Sequence, residues 1–126
     1  MISFRNPHEN YTAINNAFLQ DSELEPATIG ILAVLLSNKT NWEIYPEEIA
    51  RRMNISRTTV DRHFKKLEQL GYMKTFKFSR GRGKGFRILR FVSDVKFTDF
   101  QLSVIKTRIA EDREFWDIPS DKIADQ

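Results

Sequence analysis

The sequence predicts an α+β domain that is mainly helical, with three helices, a β-hairpin after them and a further helix near the carboxy terminus. Between residues 24 and 70, apolar residues recur at intervals of three and four, which is the spacing of helices that bury one face. Two aromatic and β-branched segments then flank a glycine-rich stretch, which is the pattern of two strands joined by a turn.

The composition of the 126-residue chain fits one globular domain, since 40% of its residues are hydrophobic. The sequence contains no run of about 18 apolar residues, and its first residues lack the pattern of a signal peptide. It has no cysteine, which excludes disulfides and thiolate metal sites. We therefore expect a cytoplasmic protein that does not bind membranes.

The first helix is predicted within residues 24–38. It starts near Pro26, because the first helical turn needs no backbone donor at that position. Few polar residues interrupt its apolar residues, so most sides of this helix should be buried. Before it, residues 10–21 are expected to form a short strand or extended segment and a brief helix. After it, residues 38–42 are expected to form a turn and residues 42–45 a short strand.

The second and third helices are predicted to be separated by a very short turn. The second covers residues 45–54 and starts near Pro46, and Asn54 tolerates the left-handed conformation that ends a helix. Ser56 is a suitable N-cap for the third helix, and Gly71 is a typical terminator. Residues 72–78 and 85–91 are predicted to be the two strands of the hairpin.

This order of elements, with its tight turn, is that of a winged helix-turn-helix. We assign residues 1–96 to this domain with an amino-terminal extension, and residues 97–126 to a carboxy-terminal helix and a polar tail that frays. The apolar residues that let the second and third helices cross are Ile49, Ala50, Met53, Ile55, Val60 and Phe64.

Charge is distributed unevenly along the chain. Residues 51–90 contain thirteen Lys or Arg and two acids, whereas acids exceed bases in the segments on either side. A basic block of this kind favours a polyanionic partner, with nucleic acid first, over a merely solvated basic face.

The outer side of the third helix, residues 56–70, is the first predicted DNA contact. With its apolar seam turned inward, the other side fits the major groove of B-DNA. We expect Arg57, Thr58 and Arg62 to reach base edges and the two lysines to meet phosphates. Asp61 is expected to orient a neighbouring cation, and the two hydroxyls near the helix start to face phosphate. The predicted contacts of this helix are Ser56, Arg57, Thr58, Thr59, Arg62, Lys65 and Lys66.

The hairpin tip, residues 79–85, is the second predicted contact. Its cations Arg80, Arg82 and Lys84 alternate with glycines that let the backbone approach phosphates. The alternative is a solvated loop. A nucleotide-binding loop is not indicated, since such loops need Ser or Thr after the lysine and the chain has Gly85 there.

The remaining candidate side chains give no sign of catalysis. His63 is expected to face either the core or the DNA edge, and no cluster of metal ligands surrounds it. Glu47 and Glu48 suit the positive end of the second helix. Trp42 and Trp116 are expected to anchor a core or an interface. We expect no enzyme activity, no cofactor, no metal and no small-molecule ligand.

Two segments carry a resemblance to a known group: "LQDSELEPATIGILAVLLS" and "EEIARRMNISRTTVDRHFKKLEQLGYM". Over about residues 10–91 the chain resembles winged-helix domains of replication-associated proteins from phages and plasmids of Gram-positive bacteria, and the amino-terminal domain of the DnaD primosome family. The resemblance implies binding of double-stranded DNA by the third helix and the wing, often as a dimer. Unlike the primosome proteins, the chain has only about 35 residues after the hairpin, and it has Asn54 where many such turns have glycine.

The leading hypothesis is a DNA-binding protein of a mobile element that acts as a repressor or an origin-binding, replication-associated factor. The alternatives are a regulator of conjugative-plasmid transfer with the same fold and a winged helix that binds proteins in a replication complex. A small-molecule-sensing regulator has the least support, since the chain has little room for a sensor. Homodimerisation through residues 97–116 and packing of that helix on its own domain both remain open. Its apolar residues are Phe100, Val104, Ile105, Ile109, Phe115 and Trp116.

Overall fold

The order of elements confirms the predicted α+β winged helix with a carboxy-terminal helix. The computed structural model describes residues 2–6, 9–38, 43–79, 82–111 and 123–125. The elements within these residues are the helices α1 (Pro26–Leu36), α2 (Pro46–Met53), α3 (Arg57–Leu70) and α4 (Asp99–Glu111) and the strands β1 (Met73–Ser79), β2 (Phe86–Val92) and β3 (Ile123–Asp125).

The predicted start and stop residues delimit the helix-turn-helix. Pro46 opens α2, and Asn54 ends it with φ 55° and ψ 48°. The Ser56 hydroxyl accepts a 3.1 Å hydrogen bond from the Thr59 backbone N–H, which satisfies a donor that the first turn of α3 leaves free. Gly71 ends α3 with φ 89°, a conformation that favours glycine. The turn between the two helices is therefore fixed by local chemistry at both ends.

Within the described ranges, the larger of two hydrophobic clusters lies between α1, α2, α3 and the start of β1. The inner face of α3 contributes Val60 and Phe64, as the helical spacing predicted, and also Leu67. The six residues predicted to let α2 and α3 cross all belong to this cluster or pack against it. Its buried members are Phe18, Leu24, Ile31, Leu32, Leu35, Ile44, Ile49, Val60, Phe64, Leu67, Tyr72 and Met73.

The smaller cluster joins the hairpin to α4. Strands β1 and β2 pair antiparallel with Met73 opposite Val92 and Ser79 opposite Phe86, close to the predicted bounds. Three buried residues form the cluster, with Phe91 and Ile105 packed against them: Phe76, Leu89 and Ile109.

The described part of α4 packs on its own domain through this cluster. Its start is capped, because the Gln101 N–H donates to the Thr98 hydroxyl and the Thr98 N–H donates back to the Gln101 side chain. Phe100 and Val104 nevertheless remain 76% and 40% exposed. Phe115 and Trp116, the last apolar residues predicted for this helix, lie outside the described residues, as does Trp42.

Two sequence predictions about strands were wrong. Residues 43–45 are extended but form no strand, because side chains of β2 hold this segment instead of a backbone ladder: Arg87 pairs with Glu43, and Arg90 donates to the Ile44 carbonyl. The polar tail was expected to fray, yet β3 pairs with β1, placing Ile123 opposite Phe78. The free edge of β1 offers unpaired backbone groups, and a short tail segment satisfies them.

In the amino-terminal segment, turns stand where a brief helix was expected, and no strand forms at residues 11–15, where a short strand or an extended segment was expected. Residues 16–20 form turns with one helical hydrogen bond, from Gln20 N–H to the Asn16 carbonyl. Asp21 then accepts a 2.6 Å hydrogen bond from the Tyr72 hydroxyl. Burial and this bond raise the pKa of Tyr72 to about 12, and the bond lowers the pKa of Asp21. The segment is thus tied to the junction of α3 and β1. The predicted turn at 38–42 lies largely outside the described residues.

Candidate nucleic-acid interface

The outer face of α3 is an exposed polar stripe. Because successive helical residues rotate by about 100°, burial of Val60, Phe64 and Leu67 turns the other face to solvent. Among the remaining predicted contacts, Ser56 is exposed, whereas Thr59 and Lys66 are partly buried. The stripe consists of Arg57, Thr58, Asp61, Arg62 and Lys65.

Arg57 is held at the start of this stripe by two carboxylates. Its Nε donates to Asp61 Oδ1 at 2.9 Å, and its Nη1 contacts Glu47 of α2. The hydrogen bond to Asp61 is the largest cause of a raised pKa of Arg57, and the charges of both carboxylates act in the same direction. The guanidinium is therefore placed before any ligand arrives.

Arg62 lies one turn further along and contacts both an acid and an imidazole. Its Nη1 is 3.5 Å from Glu25 Oε2, and its Nη2 is 3.3 Å from Nε2 of His63. His63 faces the core, where its Nδ1 lies 2.8 Å from the hydroxyl of Thr28. Burial, and then the charge of Arg62, lower the pKa of His63.

The described cations of the hairpin tip differ from those of α3. Arg82 and Lys84 are exposed, and neither makes an ion pair within the described part of the chain. Gly83 and Gly85 have φ of 75° and 77°, which suits glycine in a tight turn. The third predicted wing cation, Arg80, lies outside the described residues.

A cleft of about 530 Å³ separates the start of the helix-turn-helix from the wing strand β2. Arg90 lies in its wall, donates to the Ile44 carbonyl at 3.3 Å and sits 5.9 Å from the centre of the Phe64 ring. Partial burial lowers the pKa of Arg90. The cleft is lined by Glu43, Tyr45, Pro46, Glu47, Arg57, Phe86, Arg87, Ile88 and Arg90.

Sequence reasoning missed the two strand arginines of this cleft. Arg87 and Arg90 were counted in the basic block but were assigned no contact. The available signal was the presence of two cations within the aromatic and apolar segment "FRILRF", which places both arginines in a strand next to the predicted wing tip. Their position beside Arg57 depends on contacts between distant parts of the chain.

Residues 22–73 match the model of a family described as a helix-turn-helix domain. The match runs from the turn before α1 to the first residue of β1, so it contains the whole helix-turn-helix. No curated protein and no solved structure matches the chain. The match and the packing of α2 against α3 agree on a helix-turn-helix within this segment, and a helix-turn-helix supports DNA as the partner. Within the described residues, no helix has the length and apolar character needed to cross a bilayer.

Proposed function

We propose that the chain binds double-stranded DNA by placing α3 in the major groove, where Arg57, Thr58 and Arg62 contact base edges. The observation that carries this proposal is the polar stripe of α3, whose opposite face is anchored in the larger core cluster. Arginine is the common partner of guanine in the major groove, and its forked donors can engage two acceptors of one base. A helix fixed in this way can read bases without first having to order itself.

Phosphate contacts flank this reading face. Ser56 and Thr59 lie at the amino end of α3, where free backbone N–H groups favour anions. Lys65 and Lys66 have no carboxylate partner within the described residues, so their charges are available to phosphates. The wing cations Arg80, Arg82 and Lys84 extend the positive surface and are proposed to follow the backbone or the minor groove. The phosphate contacts contribute affinity and position the protein on the duplex, whereas the base contacts provide sequence specificity.

The proposed role is that of a repressor or an origin-binding, replication-associated factor of a mobile element. The resemblance of residues 10–91 to phage and plasmid replication proteins supports this role, and the helix-turn-helix match supports DNA binding in general. A transfer regulator of a conjugative plasmid is the alternative with the same fold. Selection of bound fragments from the replicon separates the three roles, because an origin, a promoter and a transfer origin would each identify a different one.

A mobility-shift titration against salt tests the binding itself. If the complex contains about six phosphate contacts, log affinity should fall with log salt concentration at a slope near −5. A slope near zero, or no shift of duplex DNA at low salt, would contradict the proposal. The same titration with single-stranded DNA is the control, and the duplex should bind more tightly because the groove geometry is absent from a single strand.

Protein binding is a second candidate function, favoured by the exposed apolar side chains of α4. Phe100 and Val104 lie on this helix while Ile105 and Ile109 pack inward. Deleting residues 97–126 would disturb the smaller core cluster, so the sharper test is the double substitution F100S/V104S. Light scattering that shows a dimer for the parent chain and a monomer for this variant would support self-association. A monomer in both cases would remove this candidate for homodimerisation.

A further inference from the structure

His63 lies on the inward side of α3 directly after Arg62, one of the residues proposed to read bases. Its side chain is 2% exposed, and the Thr28 side chain that it contacts is fully buried. A buried imidazole must satisfy both of its ring nitrogens, because each unsatisfied polar atom carries a desolvation cost. The two partners of these nitrogens determine the chemical state of the ring.

The contact with Arg62 fixes the tautomer of His63. Nε2 lies 3.3 Å from Nη2 of Arg62, and a guanidinium nitrogen can only donate. Nε2 must therefore carry a lone pair, so the neutral ring holds its proton on Nδ1. That N–H points at the Thr28 hydroxyl oxygen, 2.8 Å away, which accepts it. A chain of two hydrogen bonds thus runs from α1 through the core side of α3 to Arg62.

We propose that His63 is a positioning residue, which accepts a hydrogen bond from Arg62 and, together with Glu25, directs the guanidinium on the DNA-facing stripe. This inference rests on the proposed reading role of Arg62. Glu25 alone, 3.5 Å away and exposed, is a weak guide for a long side chain. The imidazole adds a fixed acceptor, since its own ring is held in the core by Thr28. Sequence discrimination therefore depends on a residue that does not touch DNA.

The arrangement makes Arg62 sensitive to the protonation of His63. The ring is faced by the Thr28 hydroxyl from α1, by the Arg62 cation on α3 and, further away, by the Glu25 carboxylate. If Nε2 became protonated, its N–H would face the N–H of Arg62. Two donors cannot form a hydrogen bond with each other, so the bond to Arg62 would be lost. Burial and Arg62 lower the pKa of His63 and Glu25 raises it, with a net decrease. The unfolded chain thus takes up the proton first, so stability falls as pH drops below the ordinary histidine pKa of about 6.5.

Nitrogen NMR of the full chain tests the geometry without DNA. At neutral pH we expect a neutral His63 with its proton on Nδ1. Arg62→Ala should raise the pKa of His63, because it removes both a nearby cation and a donor to the neutral ring. Arg57→Ala is the matched control and should leave that pKa close to the parent value. A proton on Nε2, or an unchanged pKa in the Arg62 variant, would overturn the proposal whatever the chain binds.

Competition between a selected DNA fragment and random duplex tests the consequence. His63→Leu removes the acceptor and should reduce discrimination by about two- to tenfold, the effect of one ordinary hydrogen bond. His63→Gln keeps an acceptor oxygen near the position of Nε2, so it should retain most of the discrimination and lose its dependence on pH. If the Leu variant and the parent chain discriminate equally between the selected fragment and random duplex, the positioning role is contradicted. If the Leu variant does not fold, the pH profiles of the parent and the Gln variant decide, and identical profiles contradict the proposal.

If no sequence-selective fragment can be found, the NMR result still distinguishes the two proposals. A confirmed tautomer with an Arg62-dependent pKa would then leave the contact intact and show that the reading role of α3 is wrong. If the NMR test fails but DNA binding is selective, the reading role of α3 stands and the contact between His63 and Arg62 is wrong. The pH series should extend from about 7.5 to 5, to bracket the ordinary histidine pKa.

Discussion

Helix α3, the proposed recognition helix, and the wing are held in place in different ways. Among the described residues, α3 belongs to a cluster of twelve buried residues that come from α1, α2, α3, the start of β1 and the loops beside them, whereas the middle of the hairpin rests on a cluster of three. The cations differ as well: Arg57 and Arg62 each contact carboxylates, while Arg82 and Lys84 have no ion-pair partner within the described residues. Helix α3 therefore presents cations that ion pairs hold in position, whereas the wing presents cations that no ion pair positions within the described residues.

This difference indicates how the two regions share the proposed task. A side chain that is ordered before binding loses less entropy when it meets a base, so set positions favour discrimination. A cation on a glycine-rich tip adjusts to any phosphate and adds affinity that salt weakens. We therefore expect α3 to supply specificity and the wing to supply affinity that does not depend on sequence.

The largest expected effect concerns the two core clusters. Leu67→Ala and Leu89→Ala remove the same atoms from buried positions, one in each cluster. Such changes cost about 2–5 kcal/mol, and the cost rises with the volume of the cavity that remains. We expect Leu67→Ala to lie near the upper end, because the larger cluster can collapse less easily around the gap. Urea unfolding measures both free energies, and equal losses would contradict the difference in anchoring.

The next effect concerns discrimination by α3. Arg62→Ala should reduce the preference for a selected fragment over random duplex by about 1–3 kcal/mol, which is the value of a good bidentate base contact. Binding to random duplex should change less. Competition titrations at one fixed salt concentration measure both quantities. Loss of the same size on every sequence would show that Arg62 contacts only the backbone.

The wing gives the opposite expectation. Arg82→Ala should weaken binding to all duplexes alike, by about tenfold at 0.1 M salt, because one phosphate contact accounts for nearly one unit of the salt slope. The slope itself should become about one unit less steep. Loss confined to the selected fragment would mean that the wing reads sequence, and the division between the two regions would then fail.

The smallest effect concerns the carboxylates that hold Arg57. Glu47→Gln removes one of its two acidic partners and should increase affinity for random duplex by less than about fivefold, since exposed ion pairs contribute under about 1 kcal/mol. Asp99→Asn in α4 removes the same charge elsewhere and is the matched control. If affinity for random duplex rises equally in both variants, the effect comes from net charge. The ion pair between Glu47 and Arg57 would then not matter for binding.

The sequence determined the helix-turn-helix because its signals are local. Pro46, Asn54, Ser56 and Gly71 act through the backbone of their own or adjacent turns, and the periodicity of Val60, Phe64 and Leu67 decides which side of α3 faces the core. These features predicted the bounds of the elements closely. The stripe of α3 followed from the same periodicity, since a helix that buries one face must expose the other.

The tertiary structure decided which distant groups meet. Arg87 contacts Glu43 across 44 positions of sequence, and His63 contacts Thr28 across 35, so no local pattern could reveal either pair. The free edge of β1 likewise pairs with residues 123–125 of the polar tail, which satisfy backbone groups that the edge would leave unpaired. Local propensity thus set the elements and their faces, whereas the partner of each charge and the state of the buried imidazole depended on how those elements packed.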